Sequence, residues 1–166
     1  MMKVNIYNLY TDVSTRLPYL ECVHETSLDD AASFRNPQSI ADAVRTAFQV
    51  DRLAEEVVWL LCADTKMHFI AVFEVSHGSV SQSIVSPSAI MQRVMLSGAS
   101  QFVLVHNHPS GDPEPSKEDL KVTRRVFKAG VICGAALTDH IIIGARTGKY
   151  WSMVESGAFE EAVGDC

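Results

Sequence analysis

The sequence predicts a single α/β domain in which helices cover a partly parallel β-sheet. Two observations support this fold class. From about residue 37 onward, apolar strand-like runs alternate with helical segments that are apolar on one face, and layered α/β domains follow this order. In addition, 47% of the 166 residues are hydrophobic and 20% are charged. The chain therefore has enough apolar surface for one ordinary core.

The first 35 residues are predicted to form an extended arm or hairpin that precedes the domain at residues 36–166. Two runs, KVNIYNLYTD and PYLECVHETS, lie on either side of a break near RLP. Both are rich in aromatic and β-branched residues, which are typical of strands.

The first part of the domain is predicted to contain one helix and two strands. The helix lies in NPQSIADAVRTAFQV, because Pro37 suits a first turn and Ile40 and Val44 share a face. The strands are joined by a turn at residues 64–66. The first of them, Val57–Ala63, is apolar without alternation, as expected of a strand that is covered on both sides.

The second part continues the alternation. A helix over SPSAIMQRVMLSGA is predicted to start at Ser86 or Ser88 and to stop at Gly98. The strand QFVLVH follows, and then a helix from near Ser116 to Gly130. Two further strands are predicted in GAALTDHIIIG and GKYWSMV, with a last helix in the C-terminal tail.

Charge and cysteine content argue against some functions. The net charge of −6 disfavours general binding to nucleic acid, because an acidic surface repels phosphate groups. The four cysteines form no CxxC pair, and Cys62 and Cys133 lie in apolar surroundings that predict buried free thiols. No run resembles a signal peptide or a membrane span, so we expect a cytoplasmic protein without a membrane partner.

The stretch VHNHPSGDPEPSKEDL at residues 105–120 is a candidate metal site. Side chains two apart on a strand point to the same face, so His106 and His108 can converge on one zinc ion at roughly 2.0–2.1 Å. A helix that opens at Ser116 places Asp119 in its first turn, where its carboxylate can be a third ligand. The alternative is a surface loop followed by a capping box, in which Ser116 and Asp119 only stabilise the helix start.

Three such ligands are typical of a catalytic zinc, because they leave a position at which a bound water has a pKa of about 7. Other chemistries also use similar residues. Two histidines and a carboxylate can hold non-haem iron, although such enzymes are usually all-β barrels. A zinc deaminase needs H-x-E and a downstream PCxxC, and the sequence has neither.

The stretch HNHPSGDPEPSKED resembles the JAMM signature, His-x-His, seven residues, Ser, two residues, Asp. It is most similar to the RadC-type branch of the JAB/MPN superfamily. The segments LLCADTKMHFIAVFEVSHGSV, IVSPSAIMQRVMLSGA, TRRVFKAG and LTDHIIIG also resemble that family in the same order. The resemblance covers roughly residues 37–155.

The resemblance implies a JAB/MPN fold, a curved mixed β-sheet flanked by helices and similar to that of cytidine deaminases. It implies one Zn²⁺ per chain, held by His106, His108 and Asp119. It also implies that Glu56 is the general base and that the Ser116 hydroxyl steadies the oxyanion or the bound water. The activity implied is that of a zinc metallopeptidase or isopeptidase, which cleaves an amide bond in a peptide or protein.

Two other acids and one other histidine are further candidates. Glu55 precedes Glu56, and strand alternation predicts that the two face opposite ways, so that only one reaches the metal. Glu74 is predicted to lie in a turn at a strand end. His140 is predicted to be a buried, hydrogen-bonded histidine, with indirect support of the metal site as the alternative.

Two further functions remain open at this stage. Longer RadC-type proteins have an N-terminal helix-hairpin-helix-like region associated with DNA contact, and residues 1–35 are expected to take its place here as a short form. A role in DNA repair or processing is therefore one alternative to hydrolysis. A non-catalytic MPN scaffold is the other.

Overall fold

One mixed sheet of seven strands organises the computed structural model, which describes residues 2–28, 36–78 and 85–158. The strands are β1 (Met2–Thr11), β2 (Pro18–Leu28), β3 (Val57–Ala63), β4 (Phe69–His77), β5 (Gln101–His108), β6 (Ala136–Gly144) and β7 (Tyr150–Ser152). The helices are α1 (Pro37–Ala47), α2 (Pro87–Ser97) and α3 (Lys117–Cys133), with a short 3₁₀ turn at Val50–Arg52.

The order of strands in the sheet is β2-β1-β4-β3-β5-β6-β7. Strand β5 is antiparallel to β3 on one side and parallel to β6 on the other, and α3 makes the crossover between β5 and β6. The prediction of a partly parallel α/β sheet is therefore confirmed. The N-terminal arm is the antiparallel hairpin β1–β2, and β1 joins the sheet beside β4. The division of the chain at residue 35 stays a prediction.

Helices cover both faces of the sheet. Trp59 and Leu61 of β3 belong to a core cluster that includes residues of α1, whereas Leu60 and Cys62 belong to a second cluster with α2 and α3. All seven residues of β3 are buried. Its unbroken apolar sequence follows from this position, because both sets of alternating side chains are covered.

Helix α3 is longer than the sequence predicted. It passes Gly130 and ends at Cys133, and the cap residue Gly134 that follows adopts a left-handed φ of 72°. The prediction of an end at Gly130 was wrong because this glycine has a packing role. A Cβ atom there would lie 2.5 Å from the carbonyl oxygen of Ala135 and 3.5 Å from the ring of Phe102.

Cysteine burial was predicted correctly at one of two positions. Cys62 is buried in the sheet, whereas Cys133 is exposed in the last turn of α3. Val131 and Ile132, its neighbours in that turn, are exposed as well. The apolar sequence around Cys133 therefore belongs to a solvent-facing helix end.

The other helix ends agree with the sequence. Helix α1 has Pro37 in its first turn after the cap residue Asn36, and α2 starts after the cap Ser86 and stops at Gly98. In the described part of the chain, no helix is long and apolar enough to cross a membrane. A last helix was predicted in the tail from about Ser152; β7 ends at Ser152, residues 153–156 form turns, and the part of the tail after residue 158 lies outside the described residues.

The loop between β5 and α3 packs tightly on the turn after β6. A Cβ atom on Gly144 would lie 2.3 Å from the carbonyl oxygen of Gly111, and the Thr147 hydroxyl donates to that same oxygen over 3.2 Å. The N–H of Ala145 donates to the carbonyl of His108 over 3.1 Å. The turn therefore fixes the course of the loop that leads from His108 to α3.

We expect Gly144→Ala to lower the free energy of unfolding by about 2–3 kcal/mol, because the methyl group forces two backbone segments apart. The φ angle of Gly144 lies outside the left-handed region. Without the close contact, alanine would be neutral or stabilising by about 0.4–1 kcal/mol. Urea denaturation of both proteins measures the change, and a variant as stable as the parent chain would contradict the packing described.

Candidate metal centre

Two histidines converge at the end of β5. His106 is fully buried and the His108 side chain is 13% exposed. Because strand residues two apart share a face, both rings point to the same side of the sheet, and their Nε2 atoms are 3.0 Å apart. The predicted convergence of the pair is confirmed.

Asp119 reaches this point from the first turn of α3. Its Oδ1 lies 3.4 Å from Nε2 of His106, and its Oδ2 lies 3.6 Å from Nε2 of His108. The helix cap orients the carboxylate, because the backbone N–H and the hydroxyl of Ser116 both donate to Oδ2, over 2.7 and 2.6 Å. The Asp119 N–H donates in return to the Ser116 hydroxyl oxygen over 3.2 Å.

The capping box and the convergence of the three side chains are thus both present. The capping box holds the Asp119 carboxylate in the position where it meets the two histidines. The single proton of the Ser116 hydroxyl is engaged by Asp119 in this arrangement. Ser116 therefore orients the carboxylate. Its predicted part in stabilising an oxyanion stays a prediction.

The donor atoms fit a metal ion. Nδ1 of His108 lies 2.8 Å from the carbonyl oxygen of Asp112, which can only accept, so this nitrogen carries the proton and Nε2 of the neutral ring carries a lone pair. Ligand atoms of His106, His108 and Asp119 all lie within 4.8 Å of one another. This group could hold a metal ion, and two imidazoles with one carboxylate suit zinc.

The site shifts the pKa values of the three side chains in different directions. Burial opposes ionisation of Asp119, but the hydrogen bond with His108, the charge of His106 and the Ser116 bonds hold the pKa of the carboxyl well below its usual range. Burial also opposes protonation of His108, yet Asp119, the Asp112 carbonyl and Glu56 raise the pKa of this ring. For His106, burial and the neighbouring His140 lower the pKa.

Glu55 and Glu56 line an open groove of about 490 Å³, which reaches the candidate metal centre at Pro109, the residue after His108. The groove is also lined by Ala54, Gly78, Pro109 and Ser110. Both acids precede β3 and both line the groove, so the expectation that they face opposite ways stays a prediction. Glu56 is the half-buried one of the two, and it is the acid whose charge acts on His108.

Asn107 ties this acidic segment to the metal centre, and its part was not predicted. It lies between the two histidines, so its side chain points to the opposite face of β5 and is fully buried. Its Oδ1 accepts from the N–H of Val57 over 2.8 Å, and its Nδ2 donates to the carbonyl of Glu55 over 3.0 Å. The available signal was its place between the two histidines, from which strand alternation directs its side chain to the opposite face of the sheet.

Glu74 does not lie in the turn that the sequence predicted. It lies within β4, which continues to His77, and its carboxylate forms an ion pair with the His77 ring. The expected turn at Glu74 was therefore wrong. His24, His68 and His77 are exposed.

His140 of β6 contacts the candidate ligand His106 through the ring nitrogen that does not face Asp119. Its Nε2 lies 2.8 Å from Nδ1 of His106, and its Nδ1 lies 2.7 Å from the hydroxyl of Thr123 on α3. Burial lowers the pKa of His140 to about 4. The expectation of a buried, hydrogen-bonded histidine is confirmed, while nothing in the sequence pointed to Thr123.

Asp139, beside His140, is a buried carboxyl with an altered affinity for protons. Burial raises the pKa of Asp139 to about 6, although the Ser152 hydroxyl and the N–H groups of Val154 and His140 donate to it. The folded protein therefore binds this proton more tightly than the unfolded chain, where the pKa is 3.8. The resulting stabilisation is complete below about pH 4 and is lost as the pH rises through about 6.

We expect Asp139→Asn to remove this dependence on pH. The shift corresponds to about 3 kcal/mol, since each pKa unit is worth about 1.4 kcal/mol. Urea denaturation of both proteins in chelator, from about pH 4 to about pH 8, measures the difference in free energy of unfolding. As the pH rises, the variant should become more stable relative to the parent chain by about 3 kcal/mol. His106 and His140 titrate in both proteins and cancel; a constant difference would contradict the assignment.

Fold and site together define the class of protein. A mixed sheet with helices on both faces carries two histidines at the end of a central strand and an aspartate in the first turn of the next helix. This arrangement is consistent with a JAB/MPN domain.

Comparison with known proteins identifies the family. The family model described as a RadC-like JAB domain matches residues 34–158. The chain belongs to this family. A UPF0758 protein of Pelobacter propionicus is 39% identical over 130 residues, which are 78% of this chain and 55% of that protein.

Further relatives agree. A UPF0758 protein of Geobacter sulfurreducens is 42% identical over 124 residues, covering 75% of this chain and 52% of the relative. The UPF0758 protein YsxA of Bacillus subtilis is 36% identical over 135 residues, covering 81% of this chain and 57% of YsxA. The chain thus spans a little over half the length of the curated relatives it matches.

Proposed function

We propose that this protein is a zinc-dependent hydrolase that cleaves an amide bond in a peptide or protein. The observation that carries the proposal is the convergence of His106 Nε2, His108 Nε2 and the Asp119 carboxylate on one point. A zinc ion held there would polarise the scissile carbonyl and lower the pKa of the attacking water.

The groove beside the ligands supplies the remaining groups. We assign the role of general base to Glu56, whose carboxylate would take the proton of the attacking water and deliver it to the leaving nitrogen. Half burial and proximity to His108 support this assignment. Ser116 holds the Asp119 carboxylate in place through two hydrogen bonds.

The charge of the groove favours a peptide over nucleic acid as substrate. Glu55 and Glu56 both line it, and the chain has a net charge of −6. A phosphate backbone entering this groove would meet two carboxylates, whereas a peptide backbone is neutral. Free thiols at Cys22, Cys62 and Cys133 are compatible with the reducing cytoplasm, which we propose as the location.

Cleavage-site profiling tests the proposal. The purified chain is stripped of metal, reloaded with one equivalent of zinc, and incubated with peptide libraries and with a cell extract whose amines have been blocked. New amino termini should appear with the zinc-loaded protein and be absent with the metal-free protein. A protein that binds zinc but produces no new termini in either substrate pool would support the scaffold alternative instead.

A further inference from the structure

A buried chain of hydrogen bonds links two of the three candidate ligands. Nδ1 of His106 contacts Nε2 of His140 over 2.8 Å, and Nδ1 of His140 contacts the Thr123 hydroxyl over 2.7 Å. The Thr123 hydroxyl also lies 2.7 Å from the backbone carbonyl oxygen of Asp119. All four residues are at most 2% exposed, so water does not compete for these bonds. The chain joins β5, β6 and α3.

The end of this chain fixes the direction of every proton in it. The carbonyl oxygen of Asp119 can only accept, so the single proton of the Thr123 hydroxyl lies between them. The Thr123 oxygen then accepts from Nδ1–H of His140. The neutral His140 ring is left with a lone pair on Nε2, which accepts from Nδ1–H of His106.

This direction leaves His106 in the neutral form whose Nε2 can bind a metal between the three side chains. With the proton on Nδ1, the lone pair of Nε2 points to Asp119 and His108. If Thr123 donated to His140 instead, His140 would donate to His106, and the proton of His106 would occupy Nε2. That form has no lone pair on the nitrogen that faces Asp119 and His108. The choice between the two depends on one hydroxyl group, on a residue that contacts neither metal nor substrate.

We propose that Thr123 is a positioning residue for the metal centre, which acts through His140 to keep His106 Nε2 available as a ligand. The proposal rests on the metal site proposed above. It goes beyond that site by assigning a role to a residue that is not a ligand and that contacts the ligand His106 only through His140. Outer hydrogen-bond partners of metal-binding histidines fix ring orientation and tautomer in general, and their loss costs about 10–100-fold in metal affinity.

The test compares zinc affinity among variants at Thr123. Thr123→Val keeps the shape but lacks the hydroxyl, and we expect about 10–100-fold weaker zinc binding in competition with a chromophoric chelator. Thr123→Ser restores the hydroxyl and should bind within about threefold of the parent chain. Thr138→Val is the matched control, since the Thr138 hydroxyl donates to the carbonyl of Phe102 over 3.1 Å, outside this chain.

Two further measurements separate positioning from general stability. The free energy of unfolding in chelator shows whether Thr123→Val alters the metal-free fold. The visible absorption of the cobalt-loaded protein reports on ligand geometry, and it should change in Thr123→Val and not in Thr138→Val. Should Thr123→Val not fold, His140→Leu tests the same chain, with His140→Gln as the variant that restores an acceptor oxygen for His106.

The outcomes are distinct. A parent chain that binds zinc together with a Thr123→Val variant of equal affinity and an unchanged cobalt spectrum would overturn this proposal alone. A parent chain that binds no zinc would overturn it together with the proposed function. If Thr123 acts through His140, the double variant Thr123→Val, His140→Leu loses no more affinity than His140→Leu, because both changes break one path.

Discussion

The Asp119→Asn variant is expected to lose tight zinc binding while it keeps the fold. The Asp119 carboxylate is buried and lies within 3.4 and 3.6 Å of two imidazole nitrogens, and it brings the only negative charge among the three donor groups. Asparagine has nearly the same shape and retains an oxygen that can accept from Ser116. Loss of an outer partner costs about 10–100-fold in affinity, so we expect loss of a ligand to exceed about 100-fold.

The measurement is the zinc content of dialysed protein, with affinity from chelator competition. Asp112→Asn is the matched control, because it makes the same change in the loop that precedes α3. The Asp112 side chain accepts from the N–H of Glu114, whereas its contact with His108 is made by the backbone carbonyl. Zinc retained by Asp119→Asn at parental affinity would remove this residue from the ligand set.

The Glu56→Gln variant is expected to keep one zinc per chain and to lose turnover. Glutamine fills the same space but cannot take up a proton, and a general base contributes about 10²–10⁴-fold to rate. The fall should appear in kcat on a peptide that the zinc-loaded parent chain cleaves. Unchanged zinc content shows that the metal centre is intact, which distinguishes this variant from Asp119→Asn.

Glu55→Gln is the control that decides which of the two adjacent acids is the base. Both side chains line the groove, but Glu55 also lines a second cavity of about 270 Å³ with Arg52 and His77. We expect Glu55→Gln to retain kcat to within a few-fold. If Glu55→Gln were inactive and Glu56→Gln active, the base would be Glu55. If both retained full activity, neither would be the base.

Local patterns predicted most of the fold because local chemistry decides it. Strand β3 is apolar throughout since both its faces are covered, and α2 has its cap at Ser86 and its stop at Gly98. The end of α3 was missed because Gly130 looks like a helix stop. Its true role depends on Phe102 and Ala135, whose proximity only the folded chain shows.

The candidate metal centre was predictable to the extent that it follows a period. Alternation along β5 brings His106 and His108 together, and helix capping fixes Asp119. The supporting residues follow no local period. Thr123 reaches His140 across two elements, and the two acids before β3 lie where alternation has not begun. The contact between Thr123 and His140 depends on how α3 packs on β6.

The two hydrogen bonds of Asn107 affect which substitutions the segment before β3 can accept. Its carboxamide holds only main-chain groups, the carbonyl of Glu55 and the N–H of Val57. A change of the exposed Glu55 side chain therefore leaves both hydrogen bonds in place, and the position of residue 56 is preserved. Relatives that differ in sequence around residue 55 can keep the same geometry, provided that the asparagine between the two histidines is retained.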